Sequence, residues 1–308
     1  MSQQIKKITR KILLFFYFSI PYSRKIDIFY IKRLVSDQAI TKHYDKWYRQ
    51  VKKTQINTDQ PLFLDRQNEV KEYFNISSFY LLQYFLKYGF PNTVQFHRNL
   101  DTFFEGKTAS DKLKKAYEEA SFHYVLMLML GFESYPLILE YLDFMLGDFG
   151  KNWSKFRVLD YGCGVSDIGL LFASLGADVT ICDLDDRKLD FTIWRFKKRG
   201  LNPKVIRVLD TEVYPPLPES EFDLIIATEI FEHVREPLKL LKNFTKSLRN
   251  GGYLFDSMGG TFERELVGDH LKESLQIGNS REFREFYNDH FLQVFPGERL
   301  NCLFKKVK

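Results

Sequence analysis

The 308-residue sequence contains few cysteines, and the three it has lie far apart. Cys163, Cys182 and Cys302 form neither a CxxC pair nor the dense framework of a disulfide-stabilised domain. Disulfides persist mainly in oxidising compartments, so this pattern predicts a protein of the reducing cytoplasm. The sequence also lacks internal repeats and low-complexity tracts, which excludes repeat architectures.

The N-terminal region lacks an apolar run long enough to span a membrane. Its apolar stretch, Ile12–Ile20, has nine residues, whereas a spanning helix needs about 20. Basic residues precede this stretch, as in a signal peptide, but no small-residue cleavage site follows Pro21. The stretch therefore predicts either an amphipathic helix at the inner membrane surface or the buried first helix of an N-terminal domain.

Acidic residues are scarce near the N-terminus. Residues 1–60 contain thirteen Lys and Arg against four Asp and Glu. Such a segment can contact anionic lipid, nucleic acid or an acidic protein, and it can equally be a solvated helical face. The sequence has no Asn-Pro-Pro-Tyr motif for flipped bases, no set of zinc ligands and no known RNA-binding module, which disfavours a nucleic-acid partner. Nothing in the sequence indicates an oligomeric state.

Two regions differ in their hydrophobic periodicity. Apolar residues at helical spacing over 66–90 and 108–148 predict a mainly helical region over residues 1–150, which could serve as a lid, a docking module or a membrane-surface module. In residues 151–308, short apolar runs alternate with helical stretches. This alternation predicts an α/β fold with a Rossmann-like, doubly wound sheet of about seven strands.

The predicted strands are mostly parallel. They cover residues 156–160, 178–183, 205–209, 222–227 and 252–256, with helices at 168–175, 187–199 and 237–248. Two late apolar segments, 291–295 and 301–307, flank Pro296-Gly297 and predict an antiparallel hairpin at the C-terminal edge.

Polar motifs follow four of these strands, at the sheet edge where open α/β folds bind ligands. The first is the small-residue loop in VLDYGCGVS, residues 158–166, whose glycines permit a sharp turn before a helix N-terminus. After the second strand stands Asp183, a carboxylate placed to accept hydrogen bonds from ribose hydroxyls. Asp210-Thr211 follows the third strand, and TEIFEHV, residues 228–234, follows the fourth. A tight turn without a ligand remains an alternative for the first loop.

The fourth motif combines two carboxylates with an imidazole. Glu229, Glu232 and His233 stand at positions i, i+3 and i+4, so they share one face if this turn is helical. Such a set suits a divalent cation or acid–base chemistry. A purely structural role for His233, capping or packing the following helix, stays open.

Together these motifs resemble the class I S-adenosylmethionine-dependent methyltransferases over about residues 156–260. VLDYGCGVS is similar to the family's VLDxGCGxG, FDLIIATEIFEHV at 222–234 to its FDLVxxxEVLEHV, and LRNGGYL at 248–254 to its LKPGGxL. One departure is Ser166, which stands where the family has its third glycine. A nicotinamide-binding domain would instead place a glycine at Asp167, and it gives no role to Asp210 or to the Glu-His cluster.

The resemblance implies S-adenosylmethionine as the cofactor and residues 151–308 as the domain that binds it. The loop after the first strand would hold the methionine half, Asp183 the ribose and Asp210 the adenine amine. The implied cofactor-binding residues are Asp160, Tyr161, Gly162, Cys163, Gly164, Asp183, Leu184, Asp210, Thr211, Thr228 and Glu229. Cys163 is interpreted as a small loop residue and not as a nucleophile.

The implied reaction is methyl transfer, most simply to a hydroxyl of a small molecule or of a cell-envelope glycan or lipid precursor. His233 is the candidate general base. Glu229, Glu232, His233 and His270 resemble the ligand set of small-RNA 2′-O-methyltransferases and ubiquinone-pathway O-methyltransferases, which implies a divalent cation as a further expectation. Two alternatives remain: a nucleic-acid methyltransferase that uses the basic N-terminus, and a non-catalytic cofactor-binding partner protein. The sequence leaves the acceptor unidentified.

Overall fold

The structure, a computed structural model, describes residues 66–89, 96, 99, 102–105, 110–130, 153–211, 213–256, 270–295 and 302–308. The basic segment 1–60 and the helix predicted after Pro136 lie outside the described residues, so the membrane, nucleic-acid and docking roles remain predictions. The chain divides into two compact units: residues 1–99 with 126–133, and residues 100–125 with 134–308.

The described N-terminal part is helical, as the apolar spacing predicts. Its helices are α1 (Arg66–Phe74), α2 (Ser78–Tyr88) and α3 (Ser110–Leu130). Ser77 caps α2 by accepting a hydrogen bond from the backbone N–H of Tyr80. No helix among the described residues combines the length and apolarity needed to cross a membrane.

The second unit contains a seven-stranded sheet in the order β3-β2-β1-β4-β5-β7-β6. The first five strands run parallel, and β7 pairs antiparallel with both β5 and β6. The predicted Rossmann-like sheet with an antiparallel C-terminal hairpin is therefore confirmed. The strands are β1 (Arg157–Tyr161), β2 (Asp178–Leu184), β3 (Lys204–Val208), β4 (Phe222–Ala227), β5 (Leu248–Asp256), β6 (Phe291–Phe295) and β7 (Cys302–Lys306).

Helices flank this sheet. Along the chain they are α4 (Asp167–Ser174), α5 (Arg187–Lys198), α6 (Pro237–Ser247), α7 (Lys272–Gly278) and α8 (Arg281–His290). The α4 helix contacts β1 and β2. One continuous core joins strand residues such as Ile225 to Phe244 of α6 and Phe283 of α8. Both phenyl rings are almost fully buried, and each contributes about 1.5–3 kcal/mol of hydrophobic stabilisation.

The fifth strand begins four residues earlier than the sequence predicts. Its first residue, Leu248, was assigned to the end of the preceding helix, but it pairs with Phe222 of β4. Next to it, the guanidinium of Arg249 forms an ion pair with Asp223, whose carboxylate is fully buried and also accepts the backbone N–H of Arg157 at 2.7 Å. The ion pair ties Arg249 to β4 ahead of Gly251, where the sequence suggested a turn, and the strand pairing becomes regular from Tyr253.

Candidate functional site

The predicted motifs meet at one edge of the sheet. Because β1, β2, β4 and β5 run parallel, their last residues lie along the same edge. Tyr161 at the end of β1 is in register with Cys182 of β2, and Ala227 at the end of β4 with Asp256 of β5. The loops after these strands therefore lie next to one another along this edge, where open α/β folds have their ligand-binding crevice.

The loop after β1 is held against β2 by its backbone. The N–H groups of Gly162 and Cys163 both donate to the carbonyl of Cys182, at 2.7 and 3.1 Å. Gly162 has φ +63°, and a Cβ there would lie 1.8 Å from Cδ1 of Ile230. The left-handed backbone therefore favours glycine at this position, and a larger residue would also displace the end of the Ile230 side chain, which the sequence did not indicate.

Ser166 has a left-handed backbone, with φ 51° and ψ 47°. This conformation explains why the related loops carry glycine here, since it costs an ordinary residue about 1–2 kcal/mol. The serine hydroxyl in turn donates a 2.6 Å hydrogen bond to Oδ2 of Asp160. The departure from the family motif therefore adds a buried donor to the first acid of the loop.

The carboxylate of Asp160 is buried at the end of β1. Burial raises its pKa to about 7, while the hydrogen bonds from Ser166 and from the backbone of Gly169 oppose the shift and the charge of Asp183 adds to it. Asp160 is thus a buried acid that titrates near neutral pH.

The carboxylate of Asp183, the predicted ribose ligand, is contacted by three donor groups. Its Oδ2 accepts the N–H of Gly164 at 2.7 Å, and its Oδ1 accepts the N–H of Leu184 at 2.7 Å. The ammonium of Lys188 lies 2.7 Å from Oδ1, and both side chains of this ion pair are less than a tenth exposed. The carboxylate therefore joins the loop after β1 to the first turn of α5.

Two further side chains of α5 hold the same loop. Thr192 donates a 2.6 Å hydrogen bond to the carbonyl of Gly164. The fully buried guanidinium of Arg195 donates to the carbonyl of Val165 and pairs with Asp167 at 2.7 Å. Asp167 occupies the position where a nicotinamide-binding loop has its third glycine, and here its carboxylate forms the ion pair with Arg195.

Sequence reasoning missed this set of contacts from α5. Lys188, Thr192 and Arg195 stand at positions i, i+4 and i+7 of the helix that follows Asp183, so they lie on one face. That spacing was visible in the sequence. A lysine, a threonine and an arginine on one face suggest a solvated surface, and only burial reveals that this face points at the loop.

Two residues implied as cofactor-binding have buried side chains. The ring of Tyr161 packs against Phe244 in the core, with centroids 5.0 Å apart, so its backbone is what faces the loop. Cys163 is buried, and burial raises the pKa of its thiol well above the usual value. The thiol stays protonated, which agrees with its interpretation as a small loop residue.

The residues beyond β3 and β4 are more accessible. Asp210 is exposed two residues past the end of β3, and Thr211 beside it is half-buried. Thr228 follows β4 directly and is half-buried. These positions leave polar side chains at the crevice, while their roles at the adenine and along the cofactor remain predictions.

The turn after β4 is not the α-helical turn that the spacing required. Glu229 has φ +54°, and a short 3-10 helix begins only at Phe231 and ends at His233. Glu229 therefore does not share a regular helical face with Glu232 and His233. Its charge still acts on Glu232, whose pKa is raised by burial first and by Glu229, while His233 opposes the rise.

Three of the four residues predicted to hold a cation do come together. Glu232, His233 and His270 each place a possible ligand atom within 4.8 Å of the others. The carboxylate of Glu232 is fully buried, and the two imidazole centroids lie 5.0 Å apart. The N–H of Leu271 donates to the carbonyl of Glu232 at 2.9 Å, which anchors His270 next to the turn after β4.

Asp256 is a candidate site residue that the sequence argument overlooked. It is the last residue of β5, 1% exposed, and it accepts a 3.1 Å hydrogen bond from the hydroxyl of Tyr287. The rule that ligands bind beyond the strand ends applies to β5 as it does to the other strands. Applied consistently, it would have selected Asp256 as well.

Known proteins are similar in sequence to the part of the chain that contains this site. Residues 159–256 match the family model for a methyltransferase domain. The chain is 28% identical over 172 residues to a ubiquinone biosynthesis O-methyltransferase of Shewanella pealeana, an alignment that covers 54% of this chain and 67% of that protein. It is 30% identical over 123 residues to the enzyme of the same name from Aliivibrio fischeri, covering 40% and 50%. The chain thus spans about half to two thirds of the length of these relatives. TehB from Haemophilus influenzae, a solved structure, aligns at 19% identity with a TM-score of 0.42 over 59% of this chain and 66% of its own.

Proposed function

Because the chain belongs to the class I S-adenosylmethionine-dependent methyltransferases, we propose that it transfers a methyl group from S-adenosylmethionine to a hydroxyl of a small molecule or of a cell-envelope glycan or lipid precursor. The relatives named as ubiquinone biosynthesis O-methyltransferases support an oxygen acceptor. One observation carries the proposal: an acid-and-glycine loop and a cluster of the buried Glu232 with the half-buried His233 and His270 lie along the same edge of the sheet.

The residues after β1 and β2 fit the cofactor. Gly162 and Gly164 have positive φ and bring backbone close to the crevice, and Asp183 stands at the end of β2. The cofactor supplies an activated methyl group on a sulfonium, so the protein needs to orient the reactants and to accept a proton. Asp160, Gly162, Gly164 and Asp183 would hold it.

His233 would take the proton of the acceptor hydroxyl. Its half-buried ring lies in the turn after β4, within 4.8 Å of a carboxylate oxygen of Glu232. A carboxylate beside an imidazole stabilises the imidazolium that proton transfer creates. General-base catalysis of this kind contributes about 10²–10⁴-fold to a rate.

Calorimetry of the purified protein with S-adenosylmethionine and S-adenosylhomocysteine tests the cofactor. We expect saturable binding of both. A folded protein that binds neither contradicts the proposal.

Transfer of a labelled methyl group to a cell extract tests the acceptor. We expect label in the small-molecule or lipid fraction. Label confined to RNA or DNA would replace the proposed acceptor by a nucleic acid, and binding without any transfer would support a non-catalytic partner protein.

As an alternative to the role of His233 as a base, we propose that Glu232, His233 and His270 hold a divalent cation near the acceptor. A carboxylate and two imidazoles are ligands typical of first-row transition metals and zinc. When bound, such a cation would bind the oxygen of the acceptor hydroxyl and lower the pKa of that hydroxyl.

Calorimetric titration of Zn²⁺, Mn²⁺ and Mg²⁺ into the chelator-treated protein tests the cation site, and we expect Glu232→Gln to abolish binding. Glu221→Gln, which alters an exposed ion pair with Arg157, is the matched control. Equal metal affinity in both variants contradicts the cation site.

A further inference from the structure

The ion pair between Lys188 and Asp183 lies where the ribose of the cofactor is expected. A carboxylate accepts about four hydrogen bonds. Asp183 already receives three donors: the N–H groups of Gly164 and Leu184 and the ammonium of Lys188, each at 2.7 Å. One acceptor position is left, whereas a ribose diol presents two hydroxyls. The two hydroxyls can be satisfied together only if one present donor gives way.

Lys188 is the donor that can leave. The N–H groups of Gly164 and Leu184 belong to the backbone of the β1 loop and of β2, which other hydrogen bonds hold in place. The ammonium sits at the end of four rotatable methylenes. Its departure nevertheless needs a second anion nearby, because an ammonium without a partner in a buried site is strongly destabilising.

That second anion is Asp186, two residues before Lys188. Its Oδ1 caps α5 by accepting the N–H groups of Lys188 and Leu189, at 2.9 and 3.0 Å. Its Oδ2 is buried and has no hydrogen-bond partner, and the side chain is 7% exposed. Burial lowers the pKa of the Lys188 ammonium, but the charges of Asp183 and Asp186 together outweigh burial and raise it. The ammonium is thus charged and within the field of both acids.

We propose that Lys188 is a positioning residue whose ammonium moves from Oδ1 of Asp183 to Oδ2 of Asp186 when the ribose of the cofactor binds Asp183. The inference rests on the proposed function for the identity of the cofactor. The number of buried ion pairs is conserved in this exchange, and the open acceptor on Asp186 gains a donor. The cost of freeing Asp183 for the ribose is correspondingly small.

The test is a double-mutant cycle on cofactor affinity, measured by calorimetry with S-adenosylhomocysteine. Asp186→Asn retains a side-chain oxygen as helix cap and removes the charge that would receive the ammonium. Lys188→Met removes the ammonium and retains an unbranched apolar stem. We expect Asp186→Asn alone to weaken binding about tenfold, which corresponds to about 1.4 kcal/mol. We expect Lys188→Met to bind at least as tightly as the wild type and the double variant to bind like Lys188→Met.

Asp190→Asn is the matched control on the same helix, because its exposed carboxylate pairs with Arg207 outside the crevice. Its affinity should equal that of the wild type. If Lys188→Met does not fold, Lys188→Gln replaces it in the cycle with the same expectation.

Two results would contradict the exchange. The first is that Asp186→Asn weakens binding equally in the wild type and in Lys188→Met. The second is that Lys188→Met weakens binding tenfold or more. The second would make Lys188 a direct support of the cofactor site. A wild-type protein that folds but does not bind S-adenosylhomocysteine contradicts the proposed function instead, so the two failures are distinguishable.

Discussion

The two halves of the ligand-binding edge treat their buried charges differently. Beside β1 and β2, cations from α5 neutralise two of the buried acids: Lys188 pairs with Asp183, and Arg195 with Asp167. Both pairs are buried, and removing one partner of a buried ion pair is strongly destabilising. In this half, charge pairing holds the loop that is proposed to bind the cofactor.

Beside β4 and β5, buried carboxylates instead face groups that are neutral or that titrate. Asp256 accepts from the phenol of Tyr287, and Glu232 lies against the imidazoles of His233 and His270. Such partners can release or take up a proton, or share a cation. The difference assigns the two halves separate tasks: the first forms a cradle held by buried ion pairs, and the second keeps groups available for chemistry.

The largest effect on stability is expected at Arg195. Arg195→Met removes the buried cation that pairs with Asp167, so the free energy of unfolding should fall by about 3–5 kcal/mol in urea denaturation. Arg207→Met is the control, because Arg207 forms two ion pairs but is 39% exposed, and it should cost at most about 1 kcal/mol. Equal losses in the two variants would mean that burial of the ion pair between Arg195 and Asp167 does not increase its contribution to stability.

Substitution in the other half should affect the reaction and spare binding. His233→Ala removes the proposed base, so methyl transfer should slow by about 10²–10⁴-fold while S-adenosylhomocysteine binds as before. His290→Ala, at the end of α8, should leave the rate unchanged. A parallel loss of cofactor affinity in His233→Ala would assign the histidine to the cradle and erase the division between the halves.

The cradle should also show a pH dependence. Folding raises the pKa of Asp160 from 3.8 to about 7, so the stability linked to this group is fully present below about pH 3.8 and is lost as pH rises through about 7. Asp160→Asn cannot ionise and escapes this loss. Urea denaturation at a series of pH values should therefore show that the free energy of unfolding of the variant rises relative to that of the wild type between about pH 4 and pH 8. A constant difference across this range would mean that Asp160 does not titrate as described.

The smallest effect is expected at Ser166. Both Ser166→Ala and Ser166→Gly lose the hydrogen bond to Asp160, but only glycine also relieves the left-handed backbone. The glycine variant should therefore be more stable than the alanine variant by about 1 kcal/mol. Alanine equal to glycine would indicate that the loop relaxes around this residue.

Much of the α/β unit could be predicted from periodicity. Residues 222–227 and 291–295 form strands with the predicted bounds, because each is a short apolar run with turn residues near its ends. The start of β5 could not be predicted, since Asn250-Gly251 suggests a turn and the ion pair of Arg249 with the buried Asp223 joins residues that are distant in the sequence.

The site was predictable where it depends on strand ends and unpredictable where it depends on backbone detail. Asp160, Asp183 and Glu232 were selected because they follow strands, and they do lie at the common edge. The left-handed backbone of Glu229 was not foreseen, because glutamate rarely adopts it and nothing in TEIFEHV signals it.

The sequence by itself determined the order of strands and helices, the loop of residues 158–166 and the acids that follow each strand, because hydrophobic periodicity and turn chemistry are local properties. Only the tertiary structure decided which charges those acids meet. Lys188 and Arg195 look like solvated helix residues in the sequence, and they become partners of Asp183 and Asp167 because α5 packs its basic face onto the loop after β1. His270 meets His233 across 36 intervening residues for the same reason, since burial and ion pairing depend on which distant segments share one edge of the sheet.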